Sequence, residues 1–89
     1  MPRPEHYEFR IEADAVLDIL LRILCPFAVQ GAELVAVSHE RSGQEAWTVL
    51  EVAGLAPERA ELLRLRLAQI PSVRSVAVRR RLALVAASK

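Results

Sequence analysis

Few side chains in this sequence carry reactive or ligating chemistry. Cys25 is the one cysteine, and His6 and His39 are the only histidines. A lone thiol with no second cysteine forms no intrachain disulfide, and it lacks the neighbouring base that would make it a nucleophile, so a small buried hydrophobe in a reducing, cytoplasmic setting is expected. Two histidines hold zinc only if a dimer interface brings them together. Otherwise they are surface residues flanked by Glu5 and Glu40. Glu12, Asp14 and Glu33 form a third group, which suits an ammonium or another cation if their loops converge. The competing reading has Asp14 capping a helix and Glu33 facing water. No catalytic constellation is visible, so the chain is expected to be no enzyme and to carry no cofactor and no metal.

The totals bound the remaining function classes. A chain of 89 residues is 53% hydrophobic and 26% charged, a balance that matches one globular unit and excludes a disordered chain. The expected division is one domain over 1–89, with a core over about 7–80 and a tail over 82–89. At this size roughly 60–65% of the unfolded surface can be buried. The N-terminal stretch lacks the apolar core of a signal peptide, and no apolar run approaches the length of a membrane span. Net charge is +1, yet all eleven acids lie between Glu5 and Glu61, while Arg64 to Lys89 holds seven bases and no acid. That asymmetry suits either an acidic partner or, more simply, a basic last strand beside acidic neighbours in one sheet. Nucleic acid is the less favoured partner, because phosphate binding usually needs an overall basic excess.

The elements that position these residues follow from apolar periodicity. Tyr7, Phe9, Ile11 and Ala13 alternate with Glu8, Arg10 and Glu12, which predicts a half-buried first strand. Asp14 to Gly31 then reads as one amphipathic helix, capped by Asp14, with Leu17, Leu20, Leu21, Leu24, Phe27 and Ala28 as its apolar face. Pro26 predicts a kink within it, and Gly31 a left-handed terminator. Strands are expected over 33–41 and 46–53, joined by a hairpin at Ser42–Gln44. A second helix is predicted from Pro57 to Ile70, with Ala56, Ala60, Leu63, Leu67 and Ile70 as its stripe. A fourth strand follows over 73–80, with Val76 and Val78 facing the core, and 82–87 either extends it or adds a fifth.

The order β-α-β-β-α-β predicts an α+β, ferredoxin-like fold: a four-stranded antiparallel sheet with two helices on one face and strands one and three central. The uncovered face and the free edge of strand two favour a homodimer, side by side or face to face. Several activities of this arrangement fail on the residues. The loop after strand one has two acids and no glycine, which repels rather than cradles phosphate. It also has no pair of cysteines for a metal. RNA-binding relatives of the topology stack bases on strands one and three. Tyr7, Phe9 and Trp47 are available for that, but strand three lacks the glycine-and-aromatic pattern.

The stretches LLRILCPFAVQGAEL and LRLRLAQIPSVRSVAV carry a resemblance to the ACT domain family. Among its members the small regulatory subunits of acetohydroxyacid synthase look most similar. Gly31 matches the glycine that ends the family's first helix, and Leu34 its following apolar position. Ala15 and Asp18 stand where the family usually has Asn and, three residues later, Gly, and Glu33 stands where Asn is common. The resemblance implies a non-catalytic regulatory domain serving a larger metabolic enzyme. It also implies an amino-acid effector held between two subunits by Asp14 and Ala15 of one and Gly31 and Glu33 of the other. An interaction or assembly module without a ligand is the alternative.

Overall fold

The computed structural model describes residues 5–81. The proposed extra strand over 82–87 lies outside them. Along the chain run β1 (His6–Asp14), α1 (Ile19–Val29), β2 (Glu33–Ser42), β3 (Glu45–Ala53), α2 (Pro57–Ala68) and β4 (Val73–Arg81). The strands form one antiparallel sheet in the order β2-β3-β1-β4. This is the expected ferredoxin-like arrangement, with β1 and β3 central and β2 and β4 at the edges. Among the described residues no helix is long and apolar enough to cross a membrane.

Alternation on the two central strands builds the core. Tyr7, Phe9, Ile11 and Ala13 of β1 and Ala46, Thr48, Leu50 and Val52 of β3 are buried on the helix side. From α2 the core takes Ala60, Leu63 and Leu67, while of the ends of the predicted stripe Ile70 lies at its margin and Ala56 is exposed. Phe9 and Phe27 meet edge to face, with ring centroids 5.0 Å apart at 88°. Tyr7, which is 5% exposed, donates its hydroxyl to Glu5 Oε1 at 3.0 Å. Burial first, and that bond second, push the phenol above its ordinary pKa of 10.0. An acid whose folded-state pKa is raised contributes stability that is intact below the unfolded pKa and lost as pH rises through the folded one. Urea midpoints should therefore fall as the pH rises above about 10, and Tyr7→Phe should remove its share of that fall.

The first helix differs from its sequence reading in start and in phase. β1 continues through Asp14, a turn follows, and α1 begins only at Ile19. Asp18, not Asp14, occupies the N-cap position and makes no side-chain capping bond. Instead it accepts Nε of Arg22 at 2.9 Å, a bond that holds the Asp18 carboxyl below its usual pKa. The buried face is Ile19, Ile23 and Phe27, whereas Leu17 and Leu21 are 93% and 71% exposed and Cys25 is also exposed. A helix with apolar residues on nearly every side has no periodicity strong enough to fix which side faces the sheet. The buried role expected for Cys25 fails with that phase.

Pro26 lies inside the helix, which continues to Val29. Its end is a Schellman motif: Ala32 N–H donates to Phe27 O at 3.0 Å and Gly31 N–H to Ala28 O at 3.1 Å, with Gly31 at φ +69°. The β2–β3 hairpin closes through Gly43 and Gln44. Only Gly43 has positive φ there, as a two-residue turn with glycine first requires.

The basic last strand lies beside acidic neighbours, as the simpler reading of the charge asymmetry requires, with Arg79 opposite Glu8 in the register. Arg74 reaches Asp14 and Glu45, Arg80 reaches Glu5, and Arg81 reaches Glu51.

Candidate functional site

Asp14 and Ala15 sit where β1 turns toward α1, and hydrogen bonds hold that turn from both sides. Asp14 N–H donates to Ser72 O at 2.8 Å and Ala15 N–H to Gln44 O at 2.9 Å. Ala15 O accepts from the Arg41 guanidinium at 2.8 Å. Arg74 Nε donates to the Asp14 carboxylate at 2.7 Å, and Arg74 also reaches Glu45 at 3.3 Å. The Asp14 carboxylate raises the pKa of Arg74, so the ion pair stays charged on that side at any ordinary pH. The backbone groups of Ala15 and the charge of Asp14 are thus already satisfied within the chain. A ligand taking this turn has to displace protein partners instead of filling vacant ones.

Gly31 and Glu33 lie at the other end of the sheet. Glu33 pairs with Ala53, whereas Asp14 pairs with Glu45, so the two acids stand at opposite ends of β3, about 27 Å apart. Within one chain Glu12, Asp14 and Glu33 therefore do not converge on a cation. Glu12 is occupied on the open face of the sheet, accepting from Trp47 Nε1 at 3.3 Å and Ser75 Oγ at 3.2 Å. Among the described residues no group of three His, Cys, Asp or Glu side chains is placed to hold a metal. His6 and His39 lie on opposite faces of the sheet. His39 pairs with buried Thr48 and hydrogen-bonds its Oγ1 through Nδ1 at 2.8 Å, whereas His6 pairs with Arg81 on the open side.

Arg59 stands out at the glycine end and had no role in the sequence reading. It donates to Gln30 O at 3.2 Å and to Gln30 Oε1 at 3.1 Å, closing the C-terminus of α1 from α2. Arg41, at the far end of β2, plays the matching part on the Asp14 turn. Both reach carbonyls far away in the chain, and sequence spacing does not say which carbonyl an arginine reaches.

Both ends of β2 are free along its outer edge. It pairs with β3 alone, and every residue from Glu33 to Ser42 is exposed except His39, which is half-buried. Leu34, Val35 and Val37 carry 37%, 52% and 45% of their surface in solvent. The register shift between Leu34 and Ala36 bulges the strand near its start, so the strict alternation read from the sequence breaks there.

Solved structures with this architecture include the ACT domain of the GTP pyrophosphokinase of Chlorobium tepidum. It has a TM-score of 0.78 and 10% identity, covering 86% of this chain and 100% of that one. A homoserine dehydrogenase from Thiobacillus denitrificans aligns with a TM-score of 0.74 and 14% identity, over 88% of this chain and 17% of that one. The regulatory subunit of aspartate kinase from Thermus thermophilus aligns with a TM-score of 0.65 and 18% identity, over 84% of this chain and 50% of that one. At these identities the likeness is one of fold. No curated protein matches the chain by sequence. The family profile described as ACT-like domain matches residues 3–85, nearly the whole chain. On that match, and on the fold that accompanies it, the chain belongs to the ACT-like domain family.

Proposed function

We propose that this chain is a non-catalytic regulatory module that pairs with a second copy along β2 and senses a small metabolite, an amino acid, for a larger metabolic enzyme. Domains of this family are generally regulatory, and the small regulatory subunits of acetohydroxyacid synthase exemplify that service to a separate catalytic chain. The observation that carries the reading is the free β2 edge together with the separation of the two half-sites. β2 runs from the Gly31–Glu33 end to the Asp14–Ala15 end, so an antiparallel β2–β2 pair about a two-fold axis brings each half beside the other half of the partner. An axis at Val37 sets Glu33 opposite the partner's Arg41, an oppositely charged cross-strand pair next to Ala15. The effector pocket then consists of Asp14 and Ala15 of one copy and Gly31 and Glu33 of the other. The chain is one domain, at home in the cytoplasm, and carries no cofactor.

A second reading rests on the turn at Asp14, whose polar groups are satisfied internally: the module assembles with its enzyme and has no effector. One experiment separates the two. Light scattering gives the mass of the wild-type chain and of Val37→Lys, which puts a charge on the free edge, and calorimetry titrates each with the twenty amino acids. Binding heat from a dimer that vanishes in monomeric Val37→Lys supports sensing. A β2 dimer silent to all twenty supports assembly. A wild-type chain that is no dimer overturns both.

A further inference from the structure

The open face of the sheet carries one row that the core does not explain. Glu40 of β2, Trp47 of β3, Glu12 of β1 and Ser75 of β4 stand side by side across all four strands. All four are exposed, and Trp47, the only tryptophan in the chain, keeps 36% of its surface in solvent. A cavity of about 330 Å³ opens along this row, lined by Arg10, Glu12, Trp47, Val49, Ser75 and Ala77. Sites for small ligands run from roughly 300 to 1,000 Å³, so this one suits a short molecule. Two neutral donors fix the Glu12 carboxylate there: Trp47 Nε1 donates to one oxygen at 3.3 Å and Ser75 Oγ to the other at 3.2 Å, one from each neighbouring strand. A carboxylate accepts at roughly four positions, so each oxygen keeps a free lone pair. Its charge is unanswered. Neither Glu12 nor Glu40 meets a basic side chain among the described residues, whereas the other acids of this face, Glu8 and Glu51, are held by Arg10 and Arg81. Arg10, the one cation lining the cavity, is bound to Glu8, on the side away from Glu12 along β1.

We propose that this cavity takes an organic cation, a guanidinium group on a short apolar stem, with the guanidinium forked onto Glu12 and laid against the indole of Trp47. A hard metal ion is poorly served, because it takes about six or more oxygen ligands and no three His, Cys, Asp or Glu side chains converge among the described residues. A guanidinium answers each feature. It is planar and always charged, and it gives two parallel bonds to a carboxylate whose oxygens each have a lone pair left. It is also drawn to the negative face of an aromatic ring, and indole attracts cations best. Val49 and Ala77 offer the stem an apolar surface. Glu40 stands on the other side of Trp47, so the ring lies between two carboxylates that have no cation of their own. The site lies within one chain, and it depends neither on pairing along β2 nor on the turn at Asp14.

A single tryptophan at the site makes binding directly visible. n-Butylguanidinium chloride, added in the millimolar range to the full-length chain, should change the fluorescence of Trp47 saturably and shift its indole N–H resonance. Sodium chloride and sodium butyrate at equal ionic strength should do neither. Glu12→Gln, at an exposed position, should keep the circular dichroism spectrum and weaken binding about tenfold or more, the loss expected when charge-assisted bonds go. Trp47→Leu, followed by calorimetry, should lose most of the binding heat. Val37→Lys, which blocks the free edge of β2, should titrate like wild type, so failure of the regulatory reading and failure of this one are separate results. The proposal is overturned if sodium chloride reproduces the response, or if Glu12→Gln binds as tightly as wild type. Loss of binding in Val37→Lys overturns it equally, since the cavity would then need a second chain.

Discussion

Phe27→Ala should lower the free energy of unfolding by about 3–5 kcal/mol, among the largest losses expected from a single truncation in this core. Phe27 is fully buried, and with Ile19 and Ile23 it holds α1 on the sheet, edge to face against Phe9 at 5.0 Å. Truncation removes the transfer energy of the ring and the aromatic contact, itself about 0.5–1.5 kcal/mol, and leaves a cavity between two layers that cannot close without moving the helix. A domain of this size has roughly 5–15 kcal/mol of stability, so the variant should be close to unfolding at ambient temperature. Urea unfolding followed by circular dichroism measures the loss. Phe27→Leu, which keeps most of the volume, should cost about 1.5 kcal/mol or less. Equal losses for the two variants would mean that the site is not close-packed.

Gly31→Val should cost about 2 kcal/mol, and Gly31→Asn should cost clearly less. The reason is backbone conformation. Gly31 holds φ +69°, and a Cβ built there meets nothing within 4 Å, so no clash contributes. Placing a side chain in the left-handed region costs about 1–2 kcal/mol, most for a β-branched residue, whereas Asn tolerates that region. The same urea series reads this out. Equal stability of Gly31→Val and wild type would mean that the Schellman ending of α1 is dispensable and that the glycine is kept for some other purpose. Paired with the calorimetric titration, the Asn variant separates the two roles of the position. It keeps the helix end yet places a side chain where the proposed effector pocket needs open backbone.

Much of the fold was legible because the central strands follow a simple physical rule. On β1 and β3 one face is buried and the other, apart from Glu8, is not, so Tyr7, Phe9, Ile11 and Ala13 announce their side by alternation alone. α2 was equally plain, since Pro57 marks its start and Leu63 and Leu67 stand out against Glu58, Glu61, Arg64 and Arg66. Gly31 was legible as a terminator because only a residue without Cβ adopts its conformation cheaply. α1 was not legible in phase. Leu17, Leu20, Leu21 and Leu24 are as apolar as Ile19 and Ile23, and a period needs contrast to be seen. The candidate site was read in part: its residues were named from a likeness, but their ionic and carbonyl partners, Arg74, Arg41 and Arg59, lie far away in the chain.

The amino-acid sequence by itself determined the order of elements, the inner faces of β1, β3 and α2, and the end of the first helix, because each depends on residues within a few positions of one another. Tertiary structure alone decided three things. Ile19, Ile23 and Phe27 rather than the leucines face the sheet, because the end of β1 at Asp14 delays the helix start and sets its rotation. Asp14 is bound by Arg74 instead of capping a helix, because the β1–β4 register brings together residues sixty positions apart. And Asp14 and Glu33 lie at opposite ends of the sheet, because β1 and β2 run parallel on either side of β3.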